Sequence, residues 1–384
     1  MPRIRLSEIA MLSAAVVGAL VACSGSTTHD IIGADGGDGT SSSGSSGTLP
    51  DGAPAPDTGT SGSSGTSGTL PDGAPGPDSG GSSSGAIAFT SAVKIIVEPG
   101  DNGQGLVSAI SGAKTSVHMT MYLLTVNGAV YNALIAAKAK VDVKVILNQN
   151  FPGGQGSNVQ TFNGLKAAGV NVVWAPSVYT FTHEKCAIID GTTAWIMTMN
   201  ATNSSPSQNR EYLAVDTDAD DVKSAEAIFQ ADFTGAAAGP SGKLVLAPIN
   251  AKNRLYDLIK SATKSVDVEG EEFSDVDLTN ILGIKADAGL TVRVVLSDVT
   301  PTPAQQTAVN TLKAHKIPVK SVSTPYIHAK AIVVDGVHAY VGSENFTTGS
   351  MTGNRELGVL FDTASEVTKV ATTIGADFAA GTAL

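Results

Sequence analysis

The chain has 384 residues, and 42% of them are hydrophobic, so its globular part has enough apolar side chains for a sizeable core. Asp and Glu number 35 against 24 Lys and Arg, which gives a formal net charge of −11 and argues against non-specific binding of nucleic acid. The two cysteines, Cys23 and Cys186, form no Cys/His spacing typical of a metal site, and the sequence predicts no cofactor.

The first 23 residues predict an export signal. Arg3 and Arg5 give a basic start, and the apolar run at 11–22 is short for a membrane span. The run ends in LVAC at 20–23, which resembles the cleavage box of bacterial lipoproteins. This resemblance implies an exported protein that is lipidated at Cys23 and held at the cell envelope or released outside the cell. An ordinary signal peptide and an uncleaved start are the alternatives.

Residues 24–86 are predicted to form a disordered linker. They are rich in Ser, Gly, Thr, Pro and Asp, so they bury too little apolar surface to offset the entropy of the chain. The segment GTLPDGAPAPD at 47–57 recurs as GTLPDGAPGPD at 68–78, which is a low-complexity duplication. Such a linker would tether the globular part to an anchor at Cys23.

From residue 87 onward, strands and helices alternate in two similar halves, 87–238 and 239–384. In the first half, strands are predicted at 93–98, 116–122, 141–147 and 211–215, and helices at 105–113 and 129–140. In the second half, strands are predicted at 243–247, 265–269, 290–296 and 356–361, and helices at 250–262 and 275–288. This alternation predicts an α/β fold in which two similar half-domains pack about a pseudo-two-fold axis.

One motif occurs twice, 145 positions apart. The first copy is His183, Lys185, Asp190 and Asn200, followed by Asn209-Arg210-Glu211. The second copy is His328, Lys330, Asp335 and Asn345, followed by Asn354-Arg355-Glu356. Because every member keeps the same offset, the two copies predict one composite site between the half-domains.

These residue types suit chemistry at a phosphate. Residues two apart in a strand share a face, so each lysine projects beside its histidine and offers positive charge to phosphoryl oxygens. The asparagine amides add hydrogen-bond donors, and two opposed imidazoles allow one to attack phosphorus while the other protonates the leaving oxygen. Glu211 and Glu356 each follow their histidine by 28 residues and could fix an imidazole tautomer. The spacing leaves open which histidine each glutamate serves.

The two motif aspartates have two interpretations. Asp190 and Asp335 lie seven residues after the histidine, which puts them on the opposite face of a regular strand. Each precedes a glycine, as in a two-residue hairpin turn. A structural role in the turn is favoured, and direct participation in catalysis is the alternative.

The duplicated pattern H-x-K-x(4)-D-x(6)-G-[ST]-x-N resembles that of the phospholipase D superfamily. The copy HAKAIVVDGVHAYVGSEN at 328–345 matches in full. The copy HEKCAIIDGTTAWIMTMN at 183–200 has Met197 in place of the glycine, and this side chain is expected to crowd one wall. The resemblance covers nearly all of 87–384.

The resemblance implies a bilobal, metal-independent phosphodiesterase that works through a phosphohistidine intermediate. It implies that His183 is the nucleophile and that His328 is the general acid and then the base. It counts both lysines and both aspartates with the catalytic set. It places Thr198 and Ser343 in the phosphate pocket with Asn200 and Asn345.

Three acidic residues add a further possibility. Glu269, Glu271 and Glu272 end a predicted core strand, where the first half has Thr120 to Tyr122. They form either a solvated strand end or an acidic rim that attracts a cationic headgroup such as choline.

We therefore expect a phospholipase D-type enzyme that cleaves phospholipid headgroups at a membrane surface, with water or an alcohol as acceptor. A secreted or periplasmic endonuclease and a cardiolipin synthase-like phosphatidyltransferase would use the same chemistry. An inactive binding module is the alternative from another class. Nucleic acid is the less expected substrate because the chain is acidic, and no obligate protein partner is implied.

Overall fold

The computed structural model describes residues 87–151, 157–236 and 241–384. The predicted signal segment, Cys23 and the predicted linker at 24–86 lie outside the described residues. So do residues 237–240, where the two halves were expected to meet. No helix in the described ranges is both long and apolar enough to cross a bilayer.

The first half alternates strands and helices as its sequence predicts. Its elements are β1 (Val93–Glu98), α1 (Gln104–Gly112), β2 (Ser116–Met121), α2 (Ala129–Lys138), β3 (Asp142–Leu147), α3 (Val159–Ala167), β4 (Asn171–Trp174), β5 (Lys185–Ile189), β6 (Thr193–Met197), α4 (Ser205–Gln208), β7 (Asn209–Asp216) and α5 (Ala219–Thr234).

The second half repeats this order. Its elements are β8 (Val245–Ala247), α6 (Ala251–Lys260), β9 (Ser265–Gly270), α7 (Val276–Asp287), β10 (Thr291–Ser297), α8 (Pro303–Ala314), β11 (Val319–Val322), β12 (Tyr326–Ile327), β13 (Lys330–Val334), β14 (His338–Gly342), α9 (Thr348–Gly353), β15 (Glu356–Phe361), α10 (Ala364–Ala380) and β16 (Thr382–Ala383).

Each half builds one mixed sheet, and the two sheets share a topology. The first has the order β1-β7-β6-β5-β2-β3-β4, and the second has the order β16-β11-β10-β9-β13-β14-β15-β8. In both, the three strands that alternate with helices are parallel, and the other neighbours along the path are antiparallel. The predicted fold of two similar α/β half-domains is confirmed.

The hydrophobic core continues across both halves. A central cluster takes buried side chains from both sheets and from α5 and α10, including Ile188, Ile228, Val333 and Ile374. Two further clusters lie between each sheet and its other helices. Burying an aliphatic side chain of this size contributes about 1.5–3 kcal/mol, so the shared cluster is a strong reason for the halves to stay packed.

The hairpins after β5 and β13 differ slightly from the prediction. Ile189 pairs with Thr193, so three residues connect the strands instead of two. Asp190 and Gly191 have φ values of 57° and 62°, and Asp335 and Gly336 have 56° and 69°. Asp is among the few side chains that tolerate this left-handed region, which explains the Asp-Gly pair at the turn.

Candidate active site

The two histidines lie just before central strands of the two sheets. β5 lies between β2 and β6, and β13 lies between β9 and β14. The backbone N–H of His183 donates to the carbonyl of Arg355 at 2.9 Å, and that of His328 donates to the carbonyl of Arg210 at 3.3 Å. The backbone of each histidine is therefore fixed to the Asn-Arg-Glu segment of the opposite half.

Each imidazole also contacts the glutamate of the opposite half. Nδ1 of His183 lies 2.7 Å from Oε2 of Glu356, and Nδ1 of His328 lies 2.8 Å from Oε1 of Glu211. Both carboxylates are fully buried. The crossed pairs answer the question that spacing left open, and they make the two half-sites depend on each other.

The glutamates are held by further donors. Glu356 accepts from Ser350 Oγ at 2.6 Å and from Asn354 Nδ2 at 3.1 Å. Burial opposes ionisation of Glu356, but the nearby His183 and Lys185 hold its pKa below the ordinary value. Glu356 is therefore a carboxylate at neutral pH, suited to orienting an imidazole and stabilising its protonated form.

Thr198 and Ser343 support the strands that carry the two glutamates. Thr198 Oγ1 donates to Glu211 at 2.5 Å and accepts from the N–H of Tyr212 at 2.9 Å. Ser343 Oγ accepts from the N–H of Leu357 at 3.0 Å. These hydroxyls support the glutamate-bearing strands, and their place in the phosphate pocket stays a prediction.

The lysines lie beside their histidines, as the strand period predicts. Nζ of Lys185 and Nζ of Lys330 each donate at 2.9 Å to the carbonyl of the histidine two residues earlier. Both side chains are fully buried. The two ammonium groups bring positive charge to the site, which suits an anionic group such as a phosphate.

The motif amides lie at the same end of the sheets. Asn200 precedes Ala201, which bridges to Leu124 just beyond β2, and the corresponding bridge joins Phe346 and Phe273 beyond β9. Asn200 and Asn345 are 5% and 3% exposed, and their Oδ1 atoms have no hydrogen-bond partner within the described ranges. Since buried polar atoms are normally satisfied, these amides are good candidates to meet a ligand.

The aspartates lie at the opposite end of the motif strands. Asp190 accepts from the backbone N–H groups of Lys114, Thr115 and Ser116 at 2.7–3.1 Å. Asp335 accepts from residues 263–265 in the same way. Five residues of extended strand separate Lys185 from Asp190, roughly 16 Å. The geometry contradicts direct participation and supports the turn interpretation.

Two more buried carboxyls lie next to site residues. Burial, with the charge of Asp232 acting in the same direction, raises the pKa of Glu184 to about 8. Burial also raises the pKa of Glu344 to about 8, with Glu356 acting in the same direction. Both are therefore mostly protonated at neutral pH, so they add little negative charge beside Glu356.

A family profile described as "Cardiolipin synthase, PLD-like domain" matches residues 106–233 and 255–379, one stretch in each half. The chain belongs to this PLD-like family. The probable cardiolipin synthase YwiE of Bacillus subtilis (strain 168) is 22% identical over 331 residues, which span 72% of this chain and 64% of that relative.

Two solved structures share the fold of this PLD-like chain. Phosphatidylserine synthase of Haemophilus influenzae Rd KW20 has a TM-score of 0.60 at 12% identity, covering 78% of this chain and 89% of that one. Polyphosphate kinase of Porphyromonas gingivalis has a TM-score of 0.58 at 14% identity, covering 74% of this chain and 46% of that one. At these identities the likeness concerns the fold.

The acidic rim expected at the end of β9 is not a rim. Glu269 is fully buried and accepts from the Tyr212 hydroxyl at 2.6 Å, and its pKa is raised by burial. Glu271 is 2% exposed and lies 2.9 Å from Nζ of Lys330, inside the PLD-like site. Glu272 is partly exposed. The prediction was wrong because Glu269 and Glu271 are buried against Tyr212 and Lys330 instead of facing solvent.

Met197 is best understood beside Gly342, the residue at the corresponding position of the second half. A Cβ on Gly342 would overlap the Tyr340 hydroxyl, the Glu344 carboxylate and the backbone of Gly358. In the first half, a fully buried Met197 lies in the apolar cluster instead. The two halves fill the same space differently, so Met197 is a core side chain there.

Sequence reasoning missed Ser350, which supports Glu356. It occupies the position 145 residues after Ser205, so the repeat offset carries a signal for it. However, Ser205 contacts Thr202 at 2.7 Å instead of a glutamate, and this difference is visible only in three dimensions.

Proposed function

We propose that the chain cleaves the headgroup ester of phospholipids through a phosphohistidine on His183, and passes the phosphatidyl group to water or an alcohol. The crossed histidine–glutamate pairs carry this proposal. Because each imidazole uses Nδ1 for a buried glutamate, Nε2 is the nitrogen that meets the substrate in this mechanism.

In the first step, the lone pair on Nε2 of His183 attacks phosphorus. The bond from phosphorus to the headgroup oxygen breaks, and this oxygen takes a proton from Nε2 of His328. In the second step, neutral His328 takes a proton from water or an alcohol, whose oxygen attacks phosphorus. The phosphorus–nitrogen bond breaks, and His183 regains its lone pair. Lys185, Lys330 and the asparagine amides would stabilise the phosphoryl charge throughout.

Transfer of the phosphatidyl group to an alcohol is the second candidate function, and the relatives of the chain favour it. The matched family carries the description cardiolipin synthase, and relatives that share sequence or fold include a probable cardiolipin synthase and a phosphatidylserine synthase. These relatives support a phospholipid as substrate and favour transfer, whereas the sequence alone favoured hydrolysis. The net charge of −11 speaks against the endonuclease alternative.

One assay separates these outcomes. The purified full-length chain is given labelled phosphatidylcholine, with and without added glycerol, and supercoiled plasmid in parallel, all with excess chelator. We expect phosphatidic acid without glycerol and phosphatidylglycerol with it. Plasmid nicking without lipid turnover would contradict the proposal, as would a loss of activity in chelator that zinc or calcium restores.

Export and lipid attachment at Cys23 belong to the same proposal. An anchored enzyme would have its substrate at the surface that holds it, which raises the effective concentration of that substrate. Labelling of cells with a clickable fatty acid tests it: the wild type should become labelled, and Cys23→Ser should not.

A further inference from the structure

The two half-sites differ at the position that follows the strand beside each lysine. Met121, the last residue of β2, lies opposite Lys185, and Gly270, the last residue of β9, lies opposite Lys330. The residue that follows is Tyr122 in the first half and Glu271 in the second half. An aromatic ring in one half therefore corresponds to a carboxylate in the other.

Around His183, the group at this position is an aromatic ring. The ring of Tyr122 lies edge-on to His183, with 4.5 Å between ring centroids. Nζ of Lys185 lies 5.0 Å from the Tyr122 ring centroid and 2.5 Å from Nε2 of His183. Because an ammonium can only donate, its contact with Nε2 is made to the lone pair of that nitrogen, which is the pair that a nucleophile uses.

Around His328, the group at this position is a carboxylate. Oε2 of Glu271 lies 3.5 Å from Nε2 of His328 and 2.9 Å from Nζ of Lys330. Its other oxygen accepts from the Tyr326 hydroxyl at 2.7 Å. The carboxylate is thus fixed by two donors, and it faces the nitrogen that carries the transferred proton.

We propose that Glu271 is a positioning residue that makes the two halves chemically different, by holding His328 as the proton donor to the leaving headgroup oxygen. This inference rests on the proposed function. A carboxylate near Nε2 stabilises the protonated imidazole and orients its N–H, and it offsets the positive charge of Lys330. His183 has Tyr122 in that place, and this difference favours His183 as the nucleophile and His328 as the acid.

The proton that Glu271 helps to hold moves once in each direction. It passes from Nε2 of His328 to the headgroup oxygen as the phosphorus–oxygen bond breaks. It is replaced by the proton of the incoming water or alcohol as the phosphorus–nitrogen bond breaks. Glu271 itself neither gains nor loses a proton.

The test compares two leaving groups. Phosphatidylglycerol releases a basic alkoxide that needs a proton, whereas phosphatidyl-p-nitrophenol releases a stable phenoxide that does not. Both are presented in the same detergent micelles, and kcat/KM is measured because it reports formation of the phosphohistidine. Since general acid catalysis contributes roughly 10²–10⁴-fold, we expect Glu271→Gln to lose at least about tenfold on phosphatidylglycerol and little on the nitrophenyl ester.

Glu366→Gln is the matched control, because it removes a carboxylate that contacts a lysine outside the site, Lys369 at 2.6 Å. Both rates should stay near those of the wild type. Glu271→Asp keeps the charge at a longer distance and should show the same selective loss, but a smaller one. It carries the test if Glu271→Gln does not fold.

Equal losses on both esters, or no loss on phosphatidylglycerol, would overturn the role of Glu271. A wild-type chain that cleaves neither ester would overturn the proposed function instead. The two failures are therefore distinguishable.

Discussion

His183 and His328 hold equivalent positions in the repeat, but they are predicted to fail in different ways when replaced. His183→Ala removes the nucleophile, so neither turnover nor a covalent adduct should form. His328→Asn keeps the nucleophile and removes the proton carrier needed for the second step. We expect it to release one equivalent of p-nitrophenol from phosphatidyl-p-nitrophenol and then stall, with the adduct found on His183 by mass spectrometry. An adduct on His328 of the wild type would reverse the assignment.

The crossed histidine–glutamate pairs predict that replacing a glutamate slows the reaction of the histidine it contacts. Glu356→Gln removes the carboxylate that contacts Nδ1 of His183 and should slow adduct formation, because the imidazole loses its orientation and the stabilisation of its charge. A loss of rate on the order of 10²–10⁴-fold is expected from replacing such a carboxylate by an amide. Stopped-flow measurement of the first nitrophenol burst checks it.

Glu344→Gln provides the comparison for Glu356→Gln. The pKa of Glu344 is about 8, so an amide there replaces a group that is already mostly uncharged at pH 7. Its burst should stay within a few-fold of the wild type. A similar loss in both variants would mean that general damage to the region, and not the charge on Glu356, slows the reaction.

At the scale of elements, the strands were the part of the fold that the sequence predicted best. β1 and β15 have the predicted bounds, because runs such as VKIIVE and ELGVLF combine strand-forming residues with a glutamate at one end. The predicted helices begin or end one or two residues away, as helix ends usually do. The contacts of Glu271 and Glu269 were not predictable, because they depend on which half each strand end faces.

The close packing around Gly342 makes an element-scale prediction. A methyl group there would overlap side chains and the backbone of β15, so Gly342→Ala should destabilise the fold by about 1–3 kcal/mol or more. Gly112→Ala, at the end of α1, meets nothing within 4 Å and should be neutral or slightly stabilising. Denaturant unfolding measures both, and a neutral Gly342→Ala would show that the strands can separate there.

Asp335 should matter for stability and not for chemistry. Burial alone would raise its pKa, but hydrogen bonds led by the N–H of Ser265 hold the pKa at about 2. Asp335→Asn should therefore cost about 1 kcal/mol at pH 7, allowing for solvent screening, with kcat little changed. This stabilisation is complete above the ordinary value of 3.8 and is lost as the pH falls from there towards about 2. A 10³-fold loss of kcat with normal stability would restore a catalytic role.

At the scale of the whole molecule, the halves are joined by a second set of crossed pairs. Arg355 of the second half contacts Asp232 of α5 at 2.8 Å, and Arg210 of the first half contacts Asp377 of α10 at 2.6 Å. Strand β12 of the second half also pairs with β7 of the first. The motif arginines, which directly precede the glutamates that contact the two histidines, therefore hold the two halves together and keep the composite site assembled.

The two arginine–aspartate pairs differ in burial, and this difference predicts unequal costs. The Arg355 and Asp232 side chains are 1% and 2% exposed, whereas those of Arg210 and Asp377 are 14% and 8% exposed. Asp232→Asn leaves a guanidinium charge buried without its counter-ion, which costs about 3–5 kcal/mol. Asp377→Asn is the matched control and should cost less, because water reaches Arg210. Urea unfolding at pH 7 measures both, and equal costs would mean that burial does not set the strength of these contacts. Because the carbonyl of Arg355 accepts from the N–H of His183, Asp232→Asn should also slow the nitrophenol burst more than Asp377→Asn does.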